Sequence, residues 1–249
     1  LTKKTGKGTG QYMLKKMGVL LTGLMIATCL SGCMYPEENL AQNKIPYKDQ
    51  VDSVQKAVEQ YREDQGGFLP IKTKEADTPL YQKYPVDFQK IVPQYLPEIP
   101  GNAFENGGIF QYVMVDTETK PTVKLLDVRM AETIREIKMR INASGYPPFK
   151  KQLGKNVFTL DFKQLGYKEE PVAVSPYTEN NLPFVISGEG EIYVDYRSDL
   201  YDSLKDTKVR FGQGDDIRSI LMDDSLFVPA YSLPYTIDKT GKEPMFLEK

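Results

Sequence analysis

The chain has 249 residues, 40% hydrophobic and 27% charged, with a formal net charge of −2, no His, no Trp and two Cys. That length supports one large domain or two small ones with a true core, and the composition excludes wholesale disorder. Without imidazole, Ser-His-acid and Cys-His catalysis, His-ligated zinc and His-based pH switches are all excluded.

At the amino terminus, Lys15 and Lys16 form a basic region and Met17 to Leu30 an uncharged apolar run. Leu30-Ser31-Gly32-Cys33 then places small residues directly before a cysteine. This order suits export, because the basic end stays behind while a short apolar segment enters the translocon. The four residues look like a bacterial lipobox. They predict a signal peptide over 1–32, a diacylglyceryl anchor with palmitate-type chains on Cys33, and a cell-membrane location on the extracytoplasmic face. Residues 1–12, ahead of Met13, read as an alternative start or an over-extended one. A retained membrane helix is the competing reading: the uncharged stretch from Met17 to Pro36 reaches the ~20 residues of a span. Gly32, Tyr35 and Pro36 make its end a poor one.

Processing would remove five lysines (Lys3, Lys4, Lys7, Lys15 and Lys16) and no acid, leaving 27 basic against 34 acidic residues and a net charge of −7. Cys29 would leave with the signal and Cys33 would carry lipid. A thiol nucleophile, a redox CxxC pair and a thiolate metal site are then excluded. The acidic balance argues against nucleic acid as a partner, since phosphate contacts need clustered Lys and Arg.

Residues 33–46 are polar and suit a tether. Val51, Val54, Ala57, Val58 and Tyr61 recur at the spacing of one helix face, and Gly66-Gly67 ends that helix. A short helix follows Asp87, carrying Phe88, Ile91, Val92 and Tyr95, before Pro93, Pro97 and Pro100 break the pattern. A strand from Ile109 to Asp116 pairs with Thr122 to Leu126. Val128, Ala131, Ile134, Ile137 and Ile141 mark another amphipathic helix, stopped at Gly145. Phe184–Ser187 and Glu191–Tyr196 form a hairpin through Gly188-Glu189-Gly190. Short helices at Asp199–Lys205 and Asp215–Met222 precede an extended tail rich in Tyr and Pro.

This pattern predicts an α+β fold of amphipathic helices on small antiparallel sheets. Its predicted parts are a first unit over 47–126, a second over 127–205 and a C-terminal extension over 206–249. Gly67-Phe68-Leu69-Pro70 and Gly145-Tyr146-Pro147-Pro148 lie 78 residues apart. The strands beginning at Ile109 and Ile192 lie 83 apart. Such offsets suggest a duplicated helix–loop–hairpin unit. The competing reading is that any two α+β halves share this punctuation.

The order Tyr61 to Pro70, Val92 to Pro100, then Phe110-Gln111-Tyr112-Val113 resembles the globular part of type II secretion pseudopilins. That resemblance implies a helix, a Gly-Pro loop and an antiparallel sheet over about 65 residues. The chain departs from pseudopilins in carrying a lipobox where they carry an assembly helix. The lipobox with Met34-Tyr35-Pro36, and the run Asp64 to Lys74, resemble an uncharacterised Bacillus-type lipoprotein family, the YphF type. Some of its members are labelled ABC-transporter binding proteins.

Individual sites read as structural. Gly212-Gln213-Gly214-Asp215-Asp216 suits a turn with an Asp capping a short helix; its acids oppose phosphate, and EF-hand spacing is absent. Asp223-Asp224 with Glu189 and Glu191 would make a weak calcium site only if the fold brought them together. The tyrosines suit core and strand packing, or a glycan or peptide groove. No catalytic residue, metal or cofactor is expected. The functional expectation is a non-enzymatic binding module at the cell envelope, with a protein or glycan partner. The substrate-binding lipoprotein of an ABC importer is the alternative.

Overall fold

The computed structural model of the protein describes residues 47–248. Leu30, Ser31, Gly32 and Cys33 lie outside the described residues, as do the predicted signal peptide and tether.

Helix α1 (Tyr47–Asp64) buries Val51, Val54, Ala57 and Val58, the stripe of an amphipathic helix. Gly66 and Gly67 end it, with φ of 64° and 97°, a conformation that costs a Cβ-bearing residue. The chain returns through Ile71, which pairs antiparallel with Val86, while Pro85 pairs with Val113 of strand β1 (Phe110–Val115). Strand β1 pairs antiparallel with β2 (Thr122–Asp127), Phe110 opposite Asp127. The one-turn helix α2 (Phe88–Ile91) packs between these segments. Gln55 stitches α1 to β2: its Oε1 accepts from the Val123 N–H at 2.8 Å, and its Nε2 donates to the Pro121 carbonyl at 3.1 Å.

The β1–β2 hairpin is buried on both faces, so it lacks the alternation of a half-wet strand. Phe110, Tyr112, Met114, Val123 and Leu125 face one core with α1 and α2. Val113, Val115 and Leu126 face a second core with Met130, Ile134, Ile137 and Ile141 of helix α3 (Arg129–Ser144). Gly145 closes α3 at φ 85°, its N–H reaching the carbonyls of Ile141 and Asn142.

Beyond α3 come β3 (Phe149–Gly154), β4 (Val157–Leu160), β5 (Val172–Val174), β6 (Asn181–Ser187) and β7 (Ile192–Val194). Strand β6 is the hub: β4, β5 and β7 all pair with it antiparallel, and β3 pairs with β4. Helix α4 (Arg197–Asp206) follows.

The two stretches share one plan. Each runs helix, left-handed glycine stop, a first strand-like segment, a second one beside the coming hairpin, an excursion, then the hairpin. In the first copy residues 84–86 flank β1, with Val86 N–H donating to Tyr112 and Met114 N–H to Tyr84. In the second copy β4 flanks β6. The matching of strands differs from the sequence expectation, however. The Ile109 strand is the first of its hairpin, whereas Ile192–Val194 is the second of its own. The true counterparts are β1 with β6 and β2 with β7, because hairpin position, not a preceding glycine, defines the repeat.

An Asp-x-Arg step marks both hairpin ends. Asp127 accepts from the backbone N–H of Arg129 and from its guanidinium, and Asp195 does the same for Arg197. Each arrangement supplies an acceptor to a first-turn N–H that the helix leaves unpaired. A third step, Asp216 to Arg218, opens the 3₁₀ turn Ile217–Leu221.

The tail is more than an extended run. Residues 226–232 form a strap lying parallel to the second strand of each hairpin, with Phe227 bridging Leu125 of β2 and Ser232 bridging Val194 of β7. A last hairpin, β8 (Tyr235–Ile237) with β9 (Pro244–Phe246), completes the described region. No helix among the described residues is long and apolar enough to cross a membrane.

Candidate functional site

The strap brings residues from three parts of the chain together. Leu125 N–H donates to the Leu226 carbonyl at 2.8 Å, and Val228 N–H donates back to Leu125 at 3.0 Å. Val194 N–H donates to the Tyr231 carbonyl at 2.9 Å. Tyr231 takes φ 55°, turning the strap between the two sheets in a conformation that L-residues adopt only under tertiary constraint. Tyr196 donates its hydroxyl to the Ala230 carbonyl at 3.1 Å, and Tyr235 donates to Val194 at 3.2 Å. Burial pushes both phenols well above their ordinary range. They stay protonated and act as fixed donors.

Beside the strap is a cleft of about 480 Å³ whose lining includes Tyr177, Asp206, Leu221, Asp223, Asp224 and Phe227. Apolar side chains and carboxylates share its walls. Lys124, on β2, donates from Nζ to the carbonyls of Met222 (2.8 Å) and Ser225. Desolvation lowers the Lys124 pKa, against the opposing pull of Asp223, Asp116 and Asp224. Next to Tyr177, the turn after β5 is pinned by Asp199, which accepts from Ser175 Oγ at 2.8 Å and Thr178 Oγ1 at 2.7 Å. Burial raises the Asp199 pKa, and these two hydroxyls partly offset it. Ser175 and Asp199 are each 1% exposed, so the pair holds the turn and meets no solute.

A second groove, about 720 Å³, is lined by Asn156, Glu189, Tyr193, Leu233, Phe246 and their neighbours. Asn156 Nδ2 donates to Glu189 Oε1 at 2.6 Å. Bonds from Ser187, the backbone and Asn156 hold the Glu189 carboxyl below its usual range. A Cβ on Gly188 would overlap Asn156 Oδ1 and displace that amide.

These positions answer the sequence candidates. Asp223 and Asp224 line the first cleft and Glu189 the second, so the carboxylates considered for calcium are not brought together. No group of three or more His, Cys, Asp or Glu that could hold a metal occurs among the described residues. Asp216 caps the 3₁₀ turn through its bond to Arg218 N–H, and Asp215 Oδ2 accepts from Gly212 N–H at 2.6 Å. Tyr112, Tyr196 and Tyr235 are fully buried, the core role expected of tyrosine in this fold. Sequence reasoning missed Lys124, Asp199 and Phe227. Each is an isolated residue whose partner lies far along the chain. The Asp-x-Arg recurrence at 127, 195 and 216 was readable and would have marked three helix starts.

Fold and site together define an α+β module in which one helix–hairpin plan occurs twice, joined by a strap and bearing open clefts. Residues 47–127 match the YphF family N-terminal domain, which supports a YphF-type family. The matched stretch begins with α1 and ends with the last residue of β2, one full copy of the repeat. No curated protein and no solved structure matches the chain.

Proposed function

We propose that the protein is a lipoprotein, anchored through Cys33 to the outer face of the cell membrane, whose folded region binds an envelope protein or glycan without covalent chemistry. The observation that carries this reading is the order Lys15-Lys16, Met17–Leu30, Leu30-Ser31-Gly32-Cys33. The fold adds support over the importer alternative. Importer lobes are built on parallel sheets with a ligand crevice at the strand ends, whereas the hairpins here are antiparallel and one strap serves both copies.

Confinement is what an anchor adds: it raises the local concentration of the module near envelope partners, and two acyl chains hold it stably. Replacing Cys33 by Ser and fractionating cells tests the reading. The variant should remain as an unprocessed precursor or appear in the medium. Cleavage and detergent partitioning like the wild type would overturn it.

A further inference from the structure

Residues 222–227 stand apart from the rest of the strap. Leu221 on one side and Val228 on the other are 3% and 1% exposed, while every residue between them reaches solvent at least in part. The anchors beyond are firm. Arg218, itself buried, donates to the Ser232 carbonyl and hydroxyl at 3.3 and 3.1 Å, and Ser232 Oγ donates to Pro229 at 2.7 Å. Tyr196 holds Ala230. The span between has fewer holds on the body of the protein. These are the Lys124 ammonium on the carbonyls of Met222 and Ser225, the Leu125 N–H on Leu226, the Met222 N–H on Ser219, and the apolar packing of Met222, Leu226 and Phe227. Phe227 rests edge-on against Phe110 at 5.4 Å and Tyr47 at 6.4 Å, and its carbonyl takes a long 3.4 Å bond from Tyr177.

We propose that Met222–Phe227 is a flap, latched by Lys124, that lifts from β2 while both of its ends stay fixed. Three features support a flap over a rigid connector. The span lies between buried anchors; Lys124 makes two hydrogen bonds between it and β2, beside a third from the Leu125 N–H; and it forms a wall of the 480 Å³ cleft through Asp223, Asp224 and Phe227. Lifting it would join the cleft to the edge of β2, freeing the Leu125 N–H. Such a freed edge accepts extended backbone. The flap also touches Tyr47, the first residue of α1. The flap does not depend on the tethered reading proposed above.

Hydrogen exchange on the full-length chain in detergent tests this. In the wild type the Leu125 amide should exchange through a local opening that responds little to denaturant. The Val194 amide, bonded to the fixed half of the strap, should exchange only with global unfolding. Lys124→Met keeps an unbranched side chain, one atom shorter, and removes the ammonium and its charge. It should speed exchange at Leu125 by about tenfold or more and open a chymotryptic cut after Leu226 or Phe227, with Val194 little changed. If Lys124→Met fails to fold, the wild-type denaturant dependence decides alone. The proposal falls if Leu125 exchanges as slowly as Val194 in the wild type, or if a folded Lys124→Met leaves it unchanged. Both readouts are independent of whether Cys33 carries lipid.

Discussion

Asp127 and Asp195 hold the same station in the two copies of the repeat. Each carboxylate is buried at a hairpin end, and each takes the N–H and guanidinium of the arginine two residues on. The guanidinium of Arg129 is largely exposed, its side chain 57% accessible, while the Asp127 side chain is 5% accessible. The buried acceptor therefore matters more than the ion pair, which water screens.

Asp127→Ala and Asp195→Ala should each lower stability by about 1–3 kcal/mol, the cost of leaving a first-turn donor and a local network unpaired. Arg129→Ala should cost well under that. Urea denaturation of the three variants measures the contrast. Equal losses for Asp127→Ala and Arg129→Ala would show that the ion pair, not the helix start, is what counts.

The helices carry the two cores, and a charge inside either has no partner. Val54 is 0% exposed beneath α1 and Ile134 is 8% exposed beneath α3. Val54→Asp and Ile134→Asp should each cost several kcal/mol, on the order of other buried unpaired charges. Thermal melting reports it. Unchanged melting of both variants would remove the two-core description.

The helices legible in the sequence are those with one wet face. Val51, Val54, Ala57 and Val58 mark α1, and Ile134, Ile137 and Ile141 mark α3, because each helix buries a stripe and leaves the rest in water. The β1–β2 and β6–β7 hairpins are legible because apolar runs border their polar turns. The β3–β4 hairpin gives no such signal. Strand β3 reads Phe-Lys-Lys-Gln-Leu-Gly and is exposed along most of its length, an edge strand whose lysines deter pairing and hide any alternation. The strap is equally silent, since its place depends on Leu125 and Val194, far earlier in the chain. The clefts escape a sequence reading because their walls come from separate segments.

Gly108 stands where the backbone leaves no room. A Cβ there would overlap the backbone of Asn102, whose carbonyl accepts from Phe110 N–H and whose side chain accepts from the Tyr112 hydroxyl at 2.7 Å. Gly101 has open space and an ordinary φ. Gly108→Ala should therefore cost about 2 kcal/mol or more, and Gly101→Ala no more than about 0.5 kcal/mol. Paired urea titrations check this, and similar midpoints for the two variants would contradict it.

Asp238 organises the β8–β9 turn, accepting from Thr240 Oγ1 and from the N–H groups of Lys242 and Glu243. Those bonds hold its carboxyl down to about 2. Its folded pKa is below its unfolded value, so its support is full above about pH 4 and is lost as pH falls through about 2. Asp238→Asn should remove that pH dependence from the Glu243 amide, followed by NMR. A wild-type amide that is unchanged between about pH 5 and about pH 2 would refute the assignment.

Cys33 carries the central claim, and the mass of the amino-terminal peptide from membrane-extracted protein tests it directly. The expected result is a peptide beginning at Cys33 and carrying a diacylglyceryl thioether. A peptide that retains Gly32, or one that begins at Cys33 with a free thiol, would contradict the anchored reading.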